Sequence, residues 1–125
     1  MSFDWSEYLN VAKELADRAT TPANQEAKLR AAISRAYYAA FINARNYLRD
    51  KEEHSIPTTG DAHRYVSQQF ELSVEPVRRT IGENLVRLRM YRRQADYVDK
   101  FPGLSGITLT VLTLSEEVIT TLNSL

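Results

Sequence analysis

The stretch AAISRAYYAAFINARNYL, from Ala31 to Leu48, constrains the fold more than any other part of this chain. With Leu29 just ahead of it, Ile33, Ala36, Tyr37, Ala40, Ala44 and Leu48 fall on one stripe of a 3.6-residue period, which predicts a single long helix. Alanine dominates the middle of the stripe, so a neighbouring helix can approach closely there while Tyr37 and Phe41 fill the space beside it. Arg35, Tyr38, Ile42, Arg45 and Arg49 form a second stripe on another face. That face is mixed in character, with guanidinium groups stacked beside a tyrosine.

The flanking segments extend a helical pattern. Asp4 with Glu7 reads as an N-cap and its return partner. A first amphipathic helix follows, with Trp5, Tyr8, Leu9, Ala12, Leu15, Ala16 and Ala19 inward, ending near Thr20. Thr21 as cap and Pro22 in the first turn then open the long helix, which runs to about Asp50 or Lys51. The polar segment 51–60 holds Pro57 and Gly60 and reads as an exposed, disordered loop. Asp61 caps a short helix with Ala62, Tyr65, Val66, Gln69 and Phe70 inward. Ser73 caps a fourth helix through about Val98, with Val77, Ile81, Leu85, Leu88 and Ala95 inward. After a break at 101–106, residues 107–111 alternate like a strand, but Val111, Leu114, Val118, Leu122 and Leu125 repeat like a helix. Helix is the better reading, since a lone strand would leave its backbone groups unpaired.

Composition bounds the function classes. A chain of 125 residues suits one domain, 1–125, able to bury roughly two-thirds of its unfolded surface. The absence of cysteine removes disulfide scaffolds, thiolate catalysis and cysteine-ligated metal sites. No apolar run approaches the roughly 18 residues of a membrane span, so a cytoplasmic protein without a membrane role is expected. Net charge is zero, yet 12 of the 16 basic residues are arginine, which favours bidentate contact with carboxylate or phosphate. Arg78, Arg79, Arg87, Arg89, Arg92 and Arg93 stand against the single acid Glu83. Such a patch binds phosphate, or pairs with acids of neighbouring helices or of a second subunit.

Two segments carry a family resemblance. Ser34-Arg35-Ala36-Tyr37-Tyr38-Ala39-Ala40-Phe41 resembles the SRAYYAAF helix of a prokaryotic branch of the HEPN family. Leu85-x-x-Leu88-Arg89-x-x-Arg92-x-x-Ala95-Asp96-Tyr97 is similar to the L..LR..R..ADY pattern that follows it there. The resemblance implies an all-α, up-and-down four-helix bundle with an extra short helix, and a homodimer. It further implies a role with RNA or a nucleotide, as an RNA-targeting toxin or RNA-processing component of a toxin-antitoxin or defence system, whose partner is an antitoxin such as a nucleotidyltransferase. The alternative is a non-catalytic module that binds nucleotide, RNA or a partner protein.

Many HEPN proteins are metal-independent endoribonucleases using an Arg-x(4–6)-His motif. No histidine stands five to seven residues beyond Arg92 or Arg93. Arg49 and His54 satisfy the string, but at the end of the long helix, where it runs into a loop. His63 reads as an ordinary helix-face histidine, and neither a metal site nor a cofactor is expected. The candidate catalytic residues are therefore Arg92 and Asp96, which share a helix face and can pair. Arg89, Arg35, Tyr38 and Tyr97 are the candidate phosphate- or RNA-binding residues, while Tyr37 and Tyr47 are assigned to the core. A helical adaptor without nucleic acid follows if Asp99, Glu116 or Glu117 of a second subunit consumes the arginines.

Overall fold

The computed structural model describes residues 3–18 and 22–125, without the side chains of residues 22 and 23. It holds five helices: α1 Glu7–Asp17, α2 Pro22–Lys51, α3 Ala62–Glu71, α4 Pro76–Tyr97 and α5 Leu104–Ser124. No strand occurs among the described residues, and none of their helices is long and apolar enough to cross a membrane.

Contacts between specific residues give the helix directions. Asn43 Nδ2 donates to Ser6 Oγ at 3.3 Å and Lys28 Nζ donates to the Arg18 carbonyl at 3.0 Å, so α1 runs against α2. Arg30 near the start of α2 reaches the carbonyls of Ala95 and Val98, while Arg78 at the start of α4 pairs with Glu52 just past the end of α2. Hence α4 also runs against α2. α5 runs with α2: Leu29 shares a recess with Ser105 and Thr108, and Tyr47 shares one with Leu122. α2 and α5 form the central pair, with α1 on one side and α4 on the other, and α1 does not touch α4.

Alanine explains the central pair. Ala32, Ala36, Ala39, Ala40 and Ala44 are completely buried, so the two backbones approach until Ser115 Oγ of α5 donates to the Ala36 carbonyl at 2.7 Å. Ile33, Tyr37, Leu48, Val111 and Val118 fill the core around this seam. The threonines that made α5 resemble a strand return their hydroxyls to the helix, Thr108 to the Leu104 carbonyl at 2.8 Å and Thr110 to that of Gly106 at 3.3 Å.

Several boundaries differ from expectation, each for a local reason. Ser6 occupies the N-cap position of α1, and Asp4 instead accepts a hydrogen bond from the Ser6 N–H at 3.0 Å. The described part of α1 ends at Asp17; the expected end at Thr20, the inward Ala19 and the Thr21 cap lie outside the described residues. α4 starts at Pro76 rather than after Ser73, because a residue before proline favours extended backbone, and Glu75 has φ −85° and ψ 122°. Ser73 Oγ accepts from the Glu75 N–H at 3.1 Å. α5 starts at Leu104, after Gly103 in the left-handed region at φ 71°. Val77 is 52% exposed, since the first turn of α4 lies level with the end of α2, and Leu125 beyond α5 is 42% exposed.

Of the segment 51–60, expected to be disordered, Lys51 belongs to α2 and the rest is pinned. Arg78 holds Glu52 through two bonds of 2.8 and 3.0 Å, the His54 N–H donates to the Leu48 carbonyl at 3.0 Å, and His54 Nδ1 lies 2.7 Å from the Tyr65 hydroxyl. The segment doubles back along α2 to the level of Phe41. α3 then retraces the direction of α2, with His63 beside Tyr37 and Phe70 beside Tyr47.

Candidate functional site

The junction of α2, α3 and α4 gathers the charged and aromatic groups. Arg92 is 8% exposed, and its guanidinium carbon stands 5.4 Å from the Tyr37 ring centre, 5.6 Å from Tyr38 and 5.9 Å from Tyr97. Rings at these distances offer their negative faces to the cation and offset part of the cost of burying it. Asp96 supplies the remainder: Arg92 Nη1 lies 3.4 Å from Asp96 Oδ2, which also accepts from Ser34 Oγ at 3.4 Å. Nε of Arg92 and Nε of Arg89 are both buried without a hydrogen-bond partner among the described residues, a costly state for cationic donors.

Above this layer lies a groove of 640 Å³ between α3 and α4. Phe41, Leu85, Val86 and Met90 supply apolar lining, while Arg89, Arg93 and Tyr97 line it from α4 and His63 and Arg64 from α3. Among the described residues Glu71 is the one acid in the lining. Among the described residues neither Arg89 nor Arg93 is in an ion pair. Gly82 makes the groove's geometry possible, since a Cβ there would stand 2.5 Å from the Glu71 nitrogen and 2.9 Å from the Ser67 carbonyl oxygen.

His63 is the residue sequence reasoning missed. Its ring stacks on Phe41 with centres 4.3 Å apart, its Nδ1 is hydrogen-bonded to the Tyr37 hydroxyl, and it lines the groove. Burial, and then the positive charges of Arg89 and Arg92, lower its pKa to about 4, so the imidazole is neutral near pH 7. Burial raises the Tyr37 phenol above its ordinary value, against the opposing pull of Arg89 and Arg92. The spacing 63, 66, 70 was the available signal, because Val66 and Phe70 are completely buried and His63 lies on their side of α3.

The other candidates separate. Arg35 is exposed and its guanidinium stacks 5.3 Å from the Tyr8 ring of α1. Tyr38 is half-buried beside Tyr37 and Arg92, whereas Tyr97 is 74% exposed at the groove. Arg45 bonds Asn46, and Arg49 pairs with Asp50 at 2.8 Å, so the second stripe of α2 is not a continuous cationic face. Arg49 and His54 flank a separate recess in which His54 is engaged by Tyr65. Among the described residues no group of three or more histidine and carboxylate side chains is placed to hold a metal ion.

No family model, curated protein or solved structure matches the chain.

Proposed function

We propose that this chain is a HEPN-like module that binds single-stranded RNA in the groove between α3 and α4, as one half of a toxin-antitoxin or defence pair. The observation that carries this reading is Arg89 and Arg93, two guanidinium groups without carboxylate partners among the described residues, beside a groove with the exposed ring of Tyr97 at its edge. Cations that track a phosphodiester backbone and an aromatic that accepts a base are the two requirements of sequence-tolerant RNA binding. Arg92 and Asp96 act from beneath: buried among Tyr37, Tyr38 and Tyr97, Arg92 positions the rings and does not itself meet the phosphate.

Fluorescence anisotropy with a labelled single-stranded oligouridine, repeated over a salt series, tests the reading. Arg93→Ala is expected to weaken binding and to lower the slope of log affinity against log salt by about 1, the signature of one lost phosphate contact. An affinity that ignores both salt and the substitution would point instead to a protein ligand for the groove.

A second reading, a metal-independent ribonuclease toxin, is favoured by the cation at Arg89, which could meet charge developing on a phosphate. Incubating the protein with RNA in EDTA decides it: cleavage lost in Arg89→Ala supports the toxin, and bound but intact RNA supports the binding module.

A further inference from the structure

The bond between Tyr37 and His63 sets what the groove wall presents. Tyr37 is 1% exposed, and among the described residues its hydroxyl has one hydrogen-bond partner, His63 Nδ1. A buried phenol proton needs an acceptor, and here the acceptor is that nitrogen. Nδ1 therefore carries the lone pair and Nε2 carries the hydrogen, on the side of the ring away from Tyr37. We propose that His63 is a neutral N–H donor to a phosphodiester oxygen of RNA, completing a three-donor phosphate site with Arg89 and Arg93. The proposal rests on the RNA-binding reading given above and adds the residue and protonation state that hold the phosphate.

The groups facing His63 agree with this state. Tyr37 and Tyr38 face it from α2, Arg89 and Arg92 from α4, and Arg64 is its neighbour on α3. No carboxylate is among them, and the two α4 cations work against a positive imidazole, as does burial. A ring held neutral with its hydrogen on Nε2 has no lone pair to offer a ribose hydroxyl. It fits a groove that holds RNA rather than one that takes a proton from it. Phe41, stacked on the ring, fixes its plane and so the direction of the donor.

Two measurements on the full chain test this. The first is the histidine tautomer, from long-range proton–nitrogen correlation spectra of nitrogen-15-labelled protein near pH 7, with His63→Gln to assign the signal. The Nε2–H form is expected; an Nδ1–H form or an imidazolium overturns the proposal. The second is affinity for a labelled 2′-O-methyl oligouridine, which cannot be cleaved through its 2′ position. His63→Ala is expected to bind about 10- to 100-fold more weakly, the usual loss for a hydrogen bond to a charged group. His63→Gln, whose amide can still donate, should recover most of that loss. Wild-type binding with no effect of His63→Ala overturns the role of His63 and leaves the groove reading standing. No wild-type binding at all overturns the groove reading itself.

Discussion

The seam between α2 and α5 and the junction of α2, α3 and α4 are built on opposite rules. At the seam, alanines with no exposed surface bring two backbones together, and the polar group of note, Ser115 Oγ, is paired with the Ala36 carbonyl. At the junction a buried arginine is surrounded by tyrosines, two guanidinium Nε atoms lack partners among the described residues, and a histidine is held in its neutral form. A core selected for stability alone would replace such groups with apolar ones, often without loss. Among the described residues, this gathering of buried cationic donors without partners is why the candidate site is placed at the junction.

The contrast can be broken hardest at the seam. Ile33, completely buried on α2, lies in the well-packed half. Ile33→Ala is expected to lower unfolding free energy by about 2–5 kcal/mol, read from urea denaturation, while RNA affinity of the folded protein stays near wild type. Gly82→Ala attacks the other region. Its new Cβ would meet the Glu71 nitrogen at 2.5 Å, so α3 must move away from α4. A cost of about 1–3 kcal/mol is expected, together with weakened RNA binding and displaced His63 resonances. Equal damage to binding from both substitutions would show that the two regions are not separate in function.

Which parts were legible in the sequence follows from the same division. Helices whose burial comes from repeated apolar residues could be read directly, as with the alanine stripe of α2 and Val111, Leu114, Val118 and Leu122 of α5. Local chemistry set the termini, and there competing signals misled: Ser73 looks like a cap, but Pro76 fixes the start of α4 by forcing Glu75 extended. The 51–60 segment reads as loose because Arg78, which holds Glu52, lies 26 residues further along the chain. The pairing of Arg92 with Asp96 was legible because it is i to i+4 on one helix. His63 was not, since its partners Tyr37 and Arg89 belong to other helices and meet it only through the doubling back of that segment. For the same reason Arg35, inside the first motif, was grouped with a cluster that it does not join.

The smallest effect concerns pH and isolates the junction. His63 has a folded pKa of about 4 against an ordinary value of 6.5. Above 6.5 the ring is neutral in both folded and unfolded chains and contributes nothing to pH dependence. Between 6.5 and 4 the unfolded chain takes up a proton that the folded chain refuses, so stability falls as pH drops, and below 4 the loss is complete. Urea midpoints at pH about 7.5 and about 4.5 should therefore differ less in His63→Gln than in wild type, because both variants share every other titrating group. Seating a phosphate on Arg89 and Arg93 would offset the Arg89 charge, one of the two α4 charges that oppose the imidazolium. Saturating oligouridine should then raise the pH at which His63 titrates, followed by its carbon-bound proton shifts. An unmoved titration would mean that the ligand sits away from His63, and would sever the link between the unpaired arginines of the junction and the groove above them.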